Sequence, residues 1–534
     1  MRNYLIQIEG MKRTKFSVIG LLVLASFFSC VKFEKADLVI HNARIYTVNE
    51  EFEVAQAMAI TDGIIVAVGK EHEIMNKYRA TEVIDAETRP IYPGFIDAHC
   101  HFLGSGLNGL AVDLSGAKSM EEIVELLQKG KNNKLDWLIG FGWDEYKWDS
   151  KVINTDILTS KFPDIPVLLW RIDGHSLLVN EKAIAKTELE FEYTNGPLSE
   201  EYIPYFTKAI NYTKQQKKNA LRNSETAFFS QGVTTVSDAG LTKEEVELIQ
   251  MMQNSGTLDM RIYAMLFPSV ETLKMESIFT DKLTVNSYKV MLDGSVGSKT
   301  ACFKSPYLGS TYYGDLLMTR DSLARIARQA YEKGFQLNVH AIGDSAVKVA
   351  LEEMGKVLKA TNGMTWRIEH AQSVSEEDVA LFGKYNIIPS VQPTHLADDR
   401  KAGIVKSVDK ESLKNSYRLK SLLNQNQTIA LGSDFPVASK NPVTTFYNAI
   451  VRNSSKEFPI AENEKLTREE ALKGITFWPA LANKEYETKG TLEVGKFADF
   501  VILNRDIMKV PEEEIHEAKV VYTYLGGNVV YENE

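Results

Sequence analysis

Between Ile91 and Phe435 the sequence returns eight times to a short apolar, β-prone run. The runs are IYPGFIDAH (91–99), GVTTVSD (232–238), RIYAMLF (261–267), SYKVML (287–292), FQLNVHA (335–341), WRIEHA (366–371), IIPSVQP (387–393) and TIALGSDF (428–435). Amphipathic helical stretches lie between them, among them DSLARIARQAYEKG (321–334) and SEEDVALFGKYN (375–386). Strands that alternate with helices in this way form parallel βαβ units, and eight is the number that closes a (β/α)8 barrel. The fold class expected is therefore α/β, a TIM barrel over residues 91–484. One interval breaks the rhythm. About 130 residues separate the first run from the second, far more than one βα unit needs, and they contain the strand-like WLIGFGW and PVLLWRI. This stretch reads as a cap inserted at about 104–230, where substrate selection would reside.

Both ends of the chain have a different grammar. ADLVIHNARIYTV, AMAITDGIIVAVG and ATEVIDAE near the start, and GTLEVGKFADFVILN and KVVYTYLGGNVVYEN near the end, are short alternating runs broken by Asp-Gly, Asn and Gly-Gly turns. That pattern predicts antiparallel β-structure. Residues 31–90 and 485–534 are thus two β-rich ends flanking an α/β middle.

Composition narrows the possible partners. With 44% hydrophobic and 25% charged residues the chain is globular rather than disordered. A formal net charge of −10 offers no basic stripe for a phosphate backbone, so nucleic acid is excluded and a small uncharged or cationic ligand is favoured. The three cysteines, Cys30, Cys100 and Cys302, are too few for a disulfide scaffold or a Cys-rich zinc module. Any metal must be held by His and carboxylate. Cys100, alternating away from its neighbours, should pack outward, and Cys302 should be a small buried residue. The loop GSVGSKTA (294–301) lacks the register of a phosphate-binding loop. Oligomeric state is left open, a homo-oligomer included.

Residues 1–30 read as a targeting segment. After Met11 come Lys12, Arg13 and Lys15, then an apolar run from Phe16 through Phe28, then Ser29-Cys30. The run is short for a membrane span. Its layout resembles a bacterial lipoprotein signal peptide, cleaved before Cys30 with a lipid then carried on that sulfur. The expected protein is exported and lipid-anchored at a bacterial membrane, on its periplasmic or cell-surface side.

The chemistry-bearing residues fall at strand ends. His99 and His101 are two apart at the end of the first run, so both point to the same side of a strand and present two imidazoles to one ion. His340 ends FQLNVH, His370 ends WRIEH, and Asp434 ends TIALGSD. Catalytic residues of a barrel sit at the C-terminal ends of its strands. Each residue alone has an ordinary structural explanation, but coincidence does not explain metal-type ligands at four separate strand ends. Five ligands are thus expected: His99, His101, His340, His370 and Asp434.

PGFIDAHCH, VHAIGD, RIEHAQ, VQPTH, GSDFPV and LEVGKFADFVIL together resemble the amidohydrolase superfamily, and most of all amidohydrolase family 3, which includes N-substituted formamide deformylase-like hydrolases. The likeness runs from about Ala36 to the C-terminus. It implies that the two β-rich ends, residues 31–90 and 485–534, join as one small β-sandwich, and that the barrel carries one or two divalent ions, usually zinc, on those five residues. It also draws attention to Lys289, on the fourth strand, because many two-metal members carboxylate a lysine there. A carbamate is an anion that bridges two ions, whereas an ammonium is repelled by them. The other readings of Lys289 are a partner for Asp293 or Asp238, or a substrate contact.

The function implied is hydrolysis of an amide-type C–N bond, N-acyl or N-formyl among them, by metal-activated hydroxide. A divalent ion lowers the pKa of water toward ~7 and polarises a carbonyl. Asp434 would take the proton of the attacking water and pass it to the leaving nitrogen. His175, in Arg171-Ile172-Asp173-Gly174-His175, and His395 would polarise the carbonyl or hold the oxyanion. Trp143, Asp144 and Gln392 are candidate substrate contacts. Deaminases of the superfamily place a Glu three residues after the fifth-strand histidine; here that position is Gly343, followed by Asp344, which disfavours deamination. Ester or lactone hydrolysis stays open, and a non-catalytic binding lipoprotein ranks last because all five ligands are present.

Overall fold

The computed structural model describes residues 33–533 except 131–134, 190–192, 194, 360–361, 403 and 453–461. Cys30 and the signal segment lie outside the described residues. Eight strands form the barrel: β1 (Phe95–Cys100), β2 (Val233–Leu241), β3 (Arg261–Leu266), β4 (Leu283–Met291), β5 (Gln336–Ala341), β6 (Arg367–His370), β7 (Ile388–Val391) and β8 (Ala430–Leu431). Each pairs in parallel with the next in sequence, from β1 to β8. The ring closes through main-chain hydrogen bonds from Asp434 N to His99 O (2.7 Å) and from His101 N to Phe435 O (2.9 Å). Helices cover the strands outside, so most strand residues are buried on both faces, which is why the runs read as continuously apolar. Helix Arg320–Lys333 shows how local sequence sets the boundaries: Thr319 caps its start, accepting from Ser322 N, and Gly334 ends it at φ +73°.

Two expected strands are cut short. IYPGFIDAH is not one strand but two, because Pro90–Pro93 belongs to a different sheet and only Phe95–Cys100 enters the barrel. Gly94 sits at the change of direction, where a Cβ would lie 2.2 Å from Thr234 Oγ1. TIALGSDF supplies only Ala430–Leu431 as strand. After it, a Cβ on Gly432 would meet His99 N at 2.6 Å, so the chain is already turning across the barrel mouth.

The terminal segments form two sheets. One contains Ile64–Gly69, Ala57–Thr61, Glu34–His41 and Tyr78–Asp85, in that order. Its last pair is parallel, connected through helix Glu71–Lys77, where antiparallel pairing alone was expected. The other draws on both ends of the chain: Phe500–Leu503 pairs antiparallel with Pro90–Pro93, Val501 opposite Tyr92. Val520–Leu525 and Asn528–Glu532 extend it on one side, and Arg44–Tyr46 and Val54–Ala55 on the other. Ile40, Met58 and Ile65 of the first sheet share a buried cluster with Ile45, Ile91, Phe500 and Ile502 of the second. A buried bidentate pair, Arg261 Nε to Asp499 Oδ2 (2.6 Å) and Nη2 to Oδ1 (3.0 Å), fastens the composite sheet to the start of β3.

The interval between β1 and β2 carries its own four-stranded sheet, Val112–Asp113, Leu138–Trp143, Val167–Arg171 and Leu177–Val179. At the end of that interval, helix Lys214–Phe229 buries Leu221 and Phe228 in the barrel's own core. Cys100 is buried in that core, and Cys302, expected to be buried, is only partly so. No described helix is long and apolar enough to cross a membrane.

Candidate metal centre

The strand ends converge at one mouth of the barrel. Two groups of donor atoms, each within 4.8 Å of one another, form there among the described residues: His99, His101 and Asp434, and His370, His395 and Asp434. His99 comes from the end of β1, His370 from the end of β6, His395 from the helix Pro393–Ala402 just past β7, and Asp434 from the turn after β8. His370 (φ +71°) and Asp434 (φ +56°) occupy the left-handed region. Non-glycine residues held there cost free energy and cluster at functional sites.

Partners behind the histidines fix their rings. His99 Nδ1 lies 2.5 Å from Glu369 Oε2, and Arg367 grips the same carboxylate through Nε at 2.7 Å and Nη2 at 3.0 Å. His370 Nδ1 lies 2.7 Å from Gln392 Oε1. Each contact leaves the opposite ring nitrogen, Nε2, for the centre. Asp97, two residues before His99, accepts from Ser433 N (2.9 Å) and Ser433 Oγ (2.5 Å) and so braces the β1–β8 seam.

Electrostatics prepare these groups as ligands. Burial, with Lys289 nearby, lowers the His99 imidazole to about 4. Burial also holds His340 and His370 well below the ordinary value, so all three are neutral at pH 7. Burial alone would raise the Asp434 carboxyl; the His101 imidazole beside it, together with those of His99 and His370, more than offsets this and holds it well below the ordinary value. Asp434 Oδ1 lies 3.5 Å from His99 Nε2 and 3.4 Å from His101 Nε2, and Oδ2 lies 3.6 Å from His395 Nε2. These gaps are long for hydrogen bonds and close to the roughly 3.3 Å between ligand atoms on one tetrahedral ion. His395 Nε2 is buried without a hydrogen-bond partner. The donor set fits a divalent cation.

His340 and Lys289 belong to neither group, although both lie against them. The His340 ring packs 4.5 Å from that of His370, but its Nε2 faces Gly294 O at 3.2 Å. Lys289 pairs with neither Asp293 nor Asp238. Its Nζ lies 3.1 Å from His99 Nε2, and burial lowers it to about 8. Asp293 instead accepts from Ile342 N, Gly343 N and Cys302 N, each at 2.9 Å. Asp238 accepts from Phe102 N and Leu103 N.

A cavity of about 430 Å³ opens above the centre, lined by Asp144, Arg171, His175, His395 and Asp434, with Val296, Ile342 and Ile404 on an apolar wall. His175 Nδ1 lies 2.9 Å from the buried Glu200 Oε1. Burial would lower this imidazole, and Glu200 with Asp173 raises it above the ordinary value. Two of the expected substrate contacts do not reach the cavity. Trp143 is wholly buried in the cap, its indole donating to Leu169 O at 3.1 Å, and Gln392 is spent on His370. Sequence reasoning missed the role of GSVGSKTA. Ser295 Oγ (2.6 Å) and Ser298 Oγ (2.9 Å) both donate to Asp173 Oδ2, and Thr300 Oγ1 donates to Glu200 (2.5 Å), so this loop latches the cap to the barrel. Its density of hydroxyls was the available signal.

A model of the amidohydrolase family matches residues 82–531. The chain belongs to that family. Its relatives include the LONG AFTER FAR-RED 3 protein of Arabidopsis thaliana, 30% identical over 93% of this chain and 92% of the relative. The N-substituted formamide deformylase of Arthrobacter pascens is 24% identical over 93% and 98%. Among solved structures, an uncharacterized metal-dependent hydrolase of Pyrococcus horikoshii OT3 superposes with a TM-score of 0.76 at 26% identity, over 89% of this chain and 99% of that one. Family and fold agree with the geometry: the candidate ligand groups of this amidohydrolase-family chain lie at the C-terminal mouth of its barrel.

Proposed function

We propose that the protein hydrolyses an amide-type C–N bond of a small substrate held in the cavity between cap and barrel. The observation that carries this reading is Asp434, an ionised carboxylate at the cavity floor within 3.4–3.6 Å of three imidazole nitrogens. A divalent cation, zinc being the usual choice for such donors, supplies Lewis acidity and makes water acidic enough to attack near neutral pH.

The chain's own residues do the rest. Asp434 accepts the proton of the attacking water and returns it to the departing nitrogen, which leaves as a neutral amine. His175, held by Glu200, donates to the carbonyl oxygen as negative charge develops there. The wall of Val296, Ile342 and Ile404 receives the apolar part of the acyl or amine group. Deamination finds no support at the fifth strand. A Cβ on Gly343 would lie 2.1 Å from Cys302 O, so that position admits no proton-shuttling side chain. Asp344 is taken up by Lys304 N and Ser375. The proposal includes export and lipid attachment at Cys30, read from the N-terminal sequence.

The test is a substrate panel with zinc or manganese supplied. N-formyl amines, which the deformylase relative's name adds, and N-acyl amines are set against esters, lactones and amino-heterocycles. Amide turnover is expected, and Asp434→Asn should cut it at least ~10³-fold with thermal unfolding nearly unchanged. Ammonia release from amino-heterocycles without amide turnover would replace this reading, and full activity in Asp434→Asn would remove the aspartate's role.

A further inference from the structure

Beneath the metal centre the barrel axis holds charged and polar side chains, where a closed barrel usually packs branched apolar ones. Arg367, Glu369, Ser390 and Ser237 are wholly buried there, and Asn483 is 1% exposed. Arg367 is their hub. Its Nε and Nη2 hold the two oxygens of Glu369 at 2.7 and 3.0 Å, and Nη2 also donates to Ala98 O of β1 (2.5 Å) and Ser390 Oγ of β7 (2.9 Å). The remaining nitrogen, Nη1, donates to Asn483 Oδ1 at 3.0 Å. A guanidinium only donates, so the Asn483 amide turns its oxygen to Arg367, and its Nδ2 donates to Ser237 Oγ of β2 at 3.0 Å. Asn483 directly follows the helix Phe477–Ala482, whose last carbonyl, Ala482 O, accepts from Gln336 Nε2 of β5 (2.6 Å). Gln336 and Arg367 open β5 and β6, so these contacts lie on the N-terminal side of the barrel. The chain beyond them runs into the composite sheet, Leu492 N donating to Thr47 O at 2.8 Å.

We infer that Asn483 is a positioning residue for the metal centre, acting on His99 through Arg367 and Glu369. The fork of Arg367 sets the plane of the Glu369 carboxylate, and that carboxylate holds the His99 ring from behind. Asn483 fixes the nitrogen of Arg367 that Glu369 does not reach, and Ser237 fixes Asn483. A buried ion pair adds little net stability over apolar side chains of the same volume; what this one supplies is orientation. Metal sites lose affinity when the outer partners that aim their ligands are removed. The segment that leads into the composite sheet thereby helps to aim a histidine at the other end of the barrel axis. The inference rests on the metal centre described above and holds for any number of ions there.

Zinc affinity of the full chain, read by competition with a chromophoric chelator, tests it, with circular dichroism and thermal unfolding of the metal-free protein as fold controls. Asn483→Leu, similar in size but without an acceptor, is expected to bind zinc about tenfold more weakly. Asn483→Asp, whose carboxylate still accepts from Arg367, should stay within about threefold of native. Trp478→Phe, on the same helix but packed in the main apolar core, should lower the melting temperature and leave zinc affinity unchanged. Ser237→Ala, which frees the Asn483 amide, should weaken zinc binding in the same direction and carries the test if Asn483→Leu does not fold. Native affinity in a folded Asn483→Leu, or failing that in Ser237→Ala, would overturn the role. So would a loss as large in Asn483→Asp, where the acceptor is kept, or in Trp478→Phe, where only packing is loosened. A native chain that takes up no zinc would defeat the metal centre itself, a result distinct from uptake with unchanged affinity in the variants.

Discussion

Glu369 touches no substrate, yet it decides which nitrogen His99 presents. Glu369→Gln keeps the shape and removes the charge behind the ring. A 10- to 100-fold loss of zinc affinity is expected, measurable by titration calorimetry; unchanged affinity would show that the carboxylate is not needed. Gly343 makes a different point. A Cβ at this position would meet backbone atoms, Cys302 O at 2.1 Å and Cys302 C at 2.4 Å, so no side-chain movement relieves the clash. Gly343→Ala should destabilise the fold by about 3 kcal/mol or abolish soluble expression, and a melting temperature within a degree of native would refute the close approach. At this scale the sequence was informative about residue type and position. His99, His101, His370 and Asp434 meet because each ends a strand, and that is visible as a run of apolar residues stopping at a polar one. Ring orientation was not visible. Which nitrogen of His340 faces the centre depends on Gly294, and nothing in VHAIGD announces it. Trp143 was a candidate substrate contact, but the neighbouring strand captures its indole N–H.

Among the elements, the latch between the cap and the β4 loop centres on Asp173. Burial alone would raise this carboxyl, but the Arg171 guanidinium at 2.6 Å, His175 and Ser295 outweigh it and hold it at about 2, against an ordinary value of 3.8. A carboxyl whose pKa falls on folding contributes stability that is complete above the unfolded value and is lost as pH falls through the folded one. The contribution is therefore full above about pH 4 and fades toward pH 2. Asp173→Asn should lower the urea midpoint at neutral pH, and the gap from the native chain should close in acid. A gap that persists undiminished at about pH 2 would show that the charge is not what matters. Hydroxyl-rich loops such as this one are hard to interpret from sequence because serine serves turns and latches alike. The barrel strands were legible because a buried parallel strand is a run of apolar residues whatever surrounds it. The division of IYPGFIDAH was not, since residues on both sides of Gly94 are equally apolar and only their partners differ.

At the level of the whole molecule, residues 1–30 carry the expectation of a lipid on Cys30. Expressed in a bacterial host with its own signal, the chain should partition into the detergent phase of a Triton X-114 extract, and Cys30→Ala should move to the aqueous phase. Aqueous partition of the native chain would end that expectation. The joining of both termini was implied by the family resemblance rather than by their alternation, and the register that joins them, Val501 on Tyr92, leaves no mark in either segment. That pairing sets the order of assembly against the order of synthesis. The segment Pro90–Pro93 leads straight into the strand bearing His99 and His101, but its antiparallel neighbour is made more than 400 residues later. A nascent chain therefore holds its first two candidate ligand histidines for most of translation beside a strand that has only one of its two neighbours, Arg44–Tyr46. Closing so distant a contact is slow, and the ion is best acquired by a finished polypeptide rather than by one still emerging from the ribosome.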